Sequence, residues 1–341
     1  MCRRPIRTPA GELGRSGVRI AVPGTPTGDR GRDKGQLFRN EGLSVSFYIF
    51  ATMKRLIYLA ALAAAFPMFT GPRAEAQTAS SLFWRADSLQ RKEIVSEQAV
   101  QYSFVGHHGP AVENSRCALR IYFNDSGAID VYSKSGAQME LLKYLWYPTE
   151  KQMREEGAGC DEYLVGKTVG LGGIALWDGQ KEVKLVATKG RTARVGQIKG
   201  GSFAEIIAYG VMYKGEPVDV SIRVEMKDKS RVAKVIATEL NGRKVQFLTG
   251  VNFHPGETIE TGRKYISVWG VHPADVSQNP CQLGGGMWFK PKHFIGAPEQ
   301  VDNLVRLISK PTSKLETQVV AASVKESELN TAEKFAAYMR K

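Results

Sequence analysis

From position 115 to the C-terminus the chain alternates short apolar runs with clusters of turn residues, spaced roughly ten residues apart. The first two runs are "SRCALRIYF" and "AIDVYSK", separated by Asn124-Asp125-Ser126-Gly127, and in the second Ile129 and Val131 alternate with Asp130 and Tyr132. Period-two alternation between turn signals predicts strands joined by tight turns. "EVKLVATK", "TARVGQI", "FAEIIAYGVMY", "VDVSIRVEMK", "RVAKVIATEL" and "RKVQFLTGVNF" follow, broken by Gly-Gly, Lys-Gly-Glu-Pro, Asp-Lys-Ser and Asn-Gly clusters. "KYISVWGV", "GGGMWFK", "NLVRLIS" and "LETQVVAAS" continue the pattern. Such spacing argues for an all-β protein, a large antiparallel β-sandwich rather than βαβ units. Clear helical periodicity is confined to the C-terminal "NTAEKFAAYMRK": Asn330 is a candidate cap, Glu333 supports the first turn, and Phe335, Tyr338 and Met339 share a face. The run 139–146 fits one or two helical turns or a strand. No linker or repeat interrupts the chain after Ala76, so 77–341 reads as a single domain.

The segment "GCDEYLVGKTVGLGGIALWDG" invites a nucleotide-binding reading, and its residues refuse it. A phosphate loop places a glycine five residues before the G-K-T, where this chain has Asp161. A dinucleotide fingerprint at Gly170, Gly172 and Ala175 must open a helix, whereas two apolar runs around Asp178-Gly179 signal a hairpin. The segment reads instead as a long glycine-rich loop entering a hairpin, and no cofactor motif stands elsewhere.

The N-terminal region changes the charge picture. Residues 1–52 are rich in Arg, Gly and Pro without an apolar period, and are read as a leader or upstream translation artefact. At 53–76 a basic start (Lys54, Arg55), an apolar stretch and a small-residue site Ala74-Glu75-Ala76 make a secretory signal peptide, which predicts a periplasmic or secreted protein. The apolar stretch is too short to span a bilayer, so no membrane span is expected after cleavage. With nine basic and four acidic residues in 1–52, and three and one in 53–76, residues 77–341 carry +6 of the chain's +13. That excess suits an anionic substrate, and without a basic run interleaved with aromatics it excludes a nucleic-acid partner. Cys117, Cys160 and Cys281 leave open one disulfide of unassigned pairing or three unpaired thiols, at spacings unlike a zinc site.

Three segments taken together carry a resemblance. "VENSRCALRIYFNDSGAIDVYSKSG", the Asp161 segment read as G-x-D-x-Y-x-V-G…G-x-G-G…W, and "GGGMWFK" resemble a family of exported bacterial proteins of undetermined function, common in polysaccharide-utilising Bacteroidetes. That family is grouped with the galactose-mutarotase-like β-supersandwich proteins, so the resemblance implies that fold and a glycan context. Tyr132 and Ser115 depart from the Trp and Asp usual there, and the His-rich approach before the Asp is missing.

Candidate chemistry follows from scarce residue types. His107 and His108 lie in a turn-forming segment, while His254 and His272, each followed by Pro, fall at strand ends, where imidazoles suit acid–base work. His107 and His108 on an extended chain point to opposite faces. The resemblance implies a His and a carboxylate on the concave sheet: His254 or His272 with Asp161, Glu113 or Glu257, and His108 as a further candidate. No H-x-H or H-E-x-x-H spacing supports a metal. For sugar stacking the candidates are Trp146, Tyr147, Tyr163 and Trp269, with Trp146 as an exposed platform. Arg116 and Arg120, an even number apart and hence on one strand face, are candidates with Lys134 for a uronate carboxylate or for an ion-pair network with Asp130. The expected function is that of a carbohydrate-active protein using His/carboxylate chemistry as hydrolase, lyase or epimerase. The competing expectation is a non-catalytic glycan-binding module, which needs only an aromatic platform.

Overall fold

The computed structural model describes residues 78–97, 101–228, 230–274 and 280–341, all within the compact unit Pro72–Lys341. The leader and signal segment expected at 1–52 and 53–76 lie outside the described residues. The fold is all-β with antiparallel sheets, and among the described residues only two short α-helices are present. The turn-punctuated alternation is seen best in β9 (Gly201–Tyr213), β10 (Glu216–Lys227) and β11 (Ala233–Glu239). Along β10, Val220, Ile222, Val224 and Met226 face the core while Arg223 and Glu225 between them do not.

These strands form the middle of a nine-stranded sheet that runs from β13 (Thr258–Thr261) through β14 (Tyr265–Val271), β15 (Gln282–Trp288) and β18 (Lys314–Ser323) to β11, β10 and β9, then β8 (Arg191–Ile198) and β2 (Glu93–Ser96). Two smaller sheets cover its apolar face. One has the order β1 (Thr78–Ser81), β3 (Ala111–Asn114), β4 (Ala118–Ile121), β5 (Ile129–Tyr132). The other has the order β16 (Glu299–Val301), β17 (Leu304–Ile308), β12 (Phe247–Asn252), β6 (Ala175–Trp177), β7 (Glu182–Val183). All three contribute to one core: Ile206 and Val220 from the large sheet, Leu119 and Val131 from the first small one, Phe247 and Val305 from the second.

The glycine-rich segment joins the small sheets. β6 pairs with β12 only at Phe247 and Leu248, leaving the rest of that edge open. Residues 169–172 fill it: Gly172 N–H donates to the Gly250 carbonyl at 2.8 Å, and Leu171 bridges Val251. On their other side Leu171 N–H donates to the Ile129 carbonyl at 2.9 Å and Ile129 N–H to that of Val169 at 3.1 Å. Gly170 makes the crossing possible, with φ +67° and an ideal Cβ position only 2.1 Å from the Ile129 oxygen.

The second face of the large sheet is covered in part by α2 (Ala332–Met339), the helix foreseen at the C-terminus; its cap is Thr331, whose side chain accepts from Lys334 N–H, one residue past the expected Asn330. Phe335 and Met339 pack on Trp269 and Val320. The run Gly284–Gly286 in β15 leaves room for this, since a Cβ at Gly286 would meet the Met339 sulfur at 2.5 Å. The run 139–146 forms a single turn, with Tyr144 N–H on the Glu140 carbonyl at 2.8 Å. A helix not foreseen, α1 (Glu150–Glu155), starts at a Thr149/Gln152 capping box.

Gly200 has φ +69° and open space around its Cβ position, so it controls for backbone conformation alone. Gly200→Ala is expected to cost about 1–2 kcal/mol, the left-handed penalty of an L-residue. Gly170→Ala should cost at least about 2 kcal/mol more, because the alanine methyl meets a ladder carbonyl. Equal losses in urea unfolding would refute the close approach as the reason for glycine at 170.

Candidate functional site

Alternation on β4 and β5 sends Leu119, Ile121, Ile129 and Val131 into the core and Arg120, Asp130 and Tyr132 to the opposite face. Arg120 and Asp130 are direct cross-strand partners, which brings guanidinium and carboxylate together. A two-way backbone pairing of Ser133 with Cys160, at 2.9 Å each way, sets Asp161 beside them. Arg120 Nη2 pairs with both Asp130 and Asp161, the latter at 2.6 Å. Arg120 is 2% exposed, Asp130 0% and Asp161 8%, so Asp161 is the member of the trio nearest to solvent. Tyr122 donates its hydroxyl to Asp130 Oδ2 at 2.8 Å.

Around this trio lies a half-buried aromatic shell from two segments remote in sequence. His108 stacks on Tyr102 with ring centroids 3.9 Å apart, and Tyr102 meets the Tyr122 ring edge-on at 5.0 Å. His108 Nδ1 lies 3.2 Å from the Tyr102 carbonyl, which can only accept, so Nδ1 carries the proton. Nε2 is then a lone pair, and it accepts from the Tyr147 hydroxyl at 2.7 Å. His107 and His108 both hold positive φ, 54° and 60°, so this turn-forming segment is not extended there. They still diverge: His107 is buried against the Leu141 carbonyl at 3.2 Å. Successive left-handed non-glycine residues persist only where their surroundings dictate them.

The cover over this face is held by another buried ion pair. Glu113 accepts from Lys134 Nζ at 3.0 Å and from the Glu140 and Leu141 backbone N–H groups at 2.7–2.9 Å. Glu113 and Lys134 are therefore not available for catalysis or substrate binding; they are saturated by one another and by the loop they anchor.

Burial pushes the Asp130 carboxyl up to about 7, with Asp161 adding to the effect and Arg120 opposing it. Burial also lowers His108 to about 4 and His107 to about 3, so both imidazoles are neutral near pH 7. Tyr122, Tyr147 and Tyr102 are pushed up by burial and keep their protons.

His254, His272 and Tyr163 form a separate buried group. His272 Nε2 lies 3.4 Å from Glu257 Oε1, a contact without hydrogen-bond geometry, and the His272 ring packs 4.5 Å from His254 and 4.4 Å from Tyr163. His254 donates its backbone N–H to Glu257 Oε2 at 2.7 Å and its ring Nε2–H to the Leu164 carbonyl at 2.9 Å. Burial raises Glu257 to about 7 and lowers His272 to about 3, so the His272 imidazole is neutral near pH 7. Glu257 is thus the carboxylate that meets the strand-end histidines; Asp161 and Glu113 are engaged elsewhere.

Three further expectations are corrected. Arg116 precedes β4 and pairs at the surface with Glu328, so it does not share the Arg120 face. Trp269 is buried beneath α2, its indole N–H donating to Gln282 at 3.0 Å, and offers no sugar platform. Trp146 is half-buried rather than exposed: Arg85 lies over its ring at 4.0 Å, with His108 and Tyr147 against its edges. Tyr102 and Tyr122 were not foreseen as site residues. Tyr122 was readable two positions after Arg120 on the same face, whereas nothing local marks Tyr102. Of the cysteines, Cys117 and Cys281 are thiols rather than a disulfide, and Cys281 donates to Glu162 Oε2 at 3.0 Å. Among the described residues no three His, Cys, Asp or Glu side chains converge as a metal site, and no helix is long and apolar enough to cross a membrane.

A family model described as a domain of unknown function (DUF4861) matches residues 69–341. No curated protein matches the chain. Among solved structures, 4-alpha-glucanotransferase from Thermococcus litoralis is similar at 12% identity and a TM-score of 0.31, over 69% of this chain. The chain spans 40% of that enzyme's length, and so faint a likeness carries no argument about function.

Because the folded value of Asp130 lies above its ordinary 3.8, the folded chain keeps this proton between about pH 4 and 7 while the unfolded chain has lost it. The stability tied to the proton is complete below pH 4 and lost as pH rises towards 7. Relative to Asp130→Asn, the wild type is expected to lose a few kcal/mol between pH 4 and pH 8 in urea unfolding. A difference that stays constant, or grows in the wild type's favour, would mean that Asp130 is ionised throughout.

Proposed function

The chain belongs to the DUF4861 family, and we propose that within it this protein is an exported carbohydrate-active enzyme that moves protons on an oligosaccharide at the Arg120 cluster. The observation that carries the reading is the convergence of two carboxylates on one guanidinium beside a neutral Tyr147–His108 pair, inside a half-open aromatic shell. The export signal and the glycan context of the resembling family support a periplasmic or secreted site of action.

The chemistry assigned to each group follows from its surroundings. Tyr147 takes a proton from a sugar carbon as it passes its own to His108 Nε2, which is already its hydrogen-bond acceptor. Asp130 holds a proton near neutral pH, because two carboxylates on a single cation in a buried site resist double ionisation. Asp161, nearest to solvent, delivers that proton to the departing oxygen or to the opposite face of the carbon. This division favours elimination or epimerisation over hydrolysis. Two-carboxylate hydrolysis needs both acids to flank the scissile bond, and Asp130 is fully buried.

A second reading has its own support: Arg120 ion-pairs with both carboxylates, and the rings dominate the accessible part of the site. A glycan-binding module needs no more than that. Turnover on a panel of neutral and acidic oligosaccharides, followed by reducing ends, unsaturated-product absorbance and NMR, separates the two. Tyr147→Phe, His108→Gln and Asp161→Asn are each expected to lower kcat by about 10²–10⁴. Binding without turnover, undisturbed by Tyr147→Phe, would leave the module reading in place of the enzyme.

A further inference from the structure

The outer face of the five-stranded sheet carries a groove of about 990 Å³, at the upper end of the size of small-molecule sites. Its lining is cationic: Lys167, Lys181, Lys184 and Arg306 face only Glu182 and Asp302. Lys167 and Lys181 are exposed and have no carboxylate within ion-pair distance among the described residues. Lys184 is only loosely held, 3.8 Å from Glu182 with its ammonium on the Lys167 carbonyl at 3.2 Å. Arg306 lies over the Trp177 ring at 4.9 Å and pairs with the exposed Glu299, while its buried Nε has no hydrogen-bond partner. Three weakly engaged ammonium groups and a guanidinium beside a half-buried indole suit a ligand that is both anionic and ring-shaped.

The position of the groove ties it to the cluster already described. Residues 169–172 join β5, which carries Asp130, to β12, whose Leu248 lines the groove. Asp161 sits in the cluster, and Val165 and Gly166 line the groove. Val165 lies four positions after Asp161, which limits their Cα separation to about 14 Å. His254, from the buried His–Glu group, also reaches the groove wall.

We propose that this groove binds the acid groups, carboxylate or sulfate, of an anionic oligosaccharide that extends from the Arg120 cluster, with Lys167, Lys181, Lys184 and Arg306 as its counter-charges and Trp177 beside its rings. Lys167 belongs to the G-K-T triplet of the sequence; it serves an acid-binding groove rather than a nucleotide loop. The inference rests on the carbohydrate reading above and adds to it the class of sugar and the place where its charge is held.

The test is calorimetric titration of the full chain with an oligogalacturonate, its fully methyl-esterified form and a sulfated galactan oligomer of equal length, at two salt concentrations. At least one acidic oligomer is expected to bind tenfold or more tighter than the neutral ester, weakening as salt rises. The double variant Lys181→Ala/Lys184→Ala, and separately Arg306→Ala, should each weaken that binding about tenfold and leave the ester unaffected. If only the galacturonate binds, the acid group is a carboxylate; if only the galactan binds, it is a sulfate. Equal binding of acid and ester, no acid binding at all, or acid binding unchanged in the groove variants would overturn the proposal. Acid binding that depends on the groove, without turnover of any sugar, would uphold the groove and remove the enzyme reading. Turnover lost in Tyr147→Phe with groove variants silent would do the reverse.

Discussion

Everything on the functional face depends on the backbone crossing at Gly170. The first small sheet ends at β5, and in the second β6 covers β12 only at Phe247 and Leu248, so neither β5 nor the rest of β12 has a regular strand to pair along the facing edges. An open edge at that place would expose unpaired amides and carbonyls over the core. Residues 169–172 satisfy both edges, giving hydrogen bonds to Ile129 on one side and Gly250 on the other. The crossing needs a left-handed residue without a Cβ, which the sequence supplies at 170. The result is a nearly continuous layer opposite the nine-stranded sheet, and a surface on which the Arg120 cluster and the cationic groove are neighbours.

On that surface two buried ion pairs do opposite things. Glu113 and Lys134 match one to one, and the carboxylate is saturated further by two backbone N–H groups of the loop above it. Such a pair holds structure. Arg120 faces two carboxylates, and burial penalises the surplus charge. Taking up one proton makes the trio neutral, which is why Asp130 is driven towards neutral pH and not downwards as a simple ion pair would be. An excess of one carboxylate over cations is therefore what distinguishes a proton-holding site from an anchor.

The sequence made the strands legible because turn chemistry and period-two alternation act locally, and it made Arg120 legible as facing Asp130 for the same reason. The C-terminal helix was legible from its amphipathic face. The aromatic shell was only partly so. His108, Trp146 and Tyr147 stood out as rare residues in loops, but their meeting depends on a left-handed turn at 107–108 and on a loop held by Glu113, neither visible in local pattern. Trp269 was misjudged because its burial depends on the missing Cβ of Gly284, which lets the indole lie flat beneath α2; a side chain there would strike the ring at 2.6 Å. Arg116 was misjudged because β4 begins two residues after it. Lys167 was read only as part of a failed nucleotide motif, and only the topology brings it to one groove with Trp177.

The division of labour along this face has a physical logic. The Arg120 cluster needs a low dielectric to keep the Asp130 proton, so it is covered by rings and excludes free charge. A binding region for charged groups needs the reverse: solvated cations on flexible stems, which cost little to desolvate and attract at a distance. Putting both functions in one cavity would defeat each, since unpaired lysines beside Asp130 would strip its proton. Separating them by the few residues between Asp161 and Val165 keeps the lysines out of the Asp130 site while leaving the two close enough for the extended ligand proposed above. The loop that carries Asp161 inward and Lys167 outward is the element that enforces this separation.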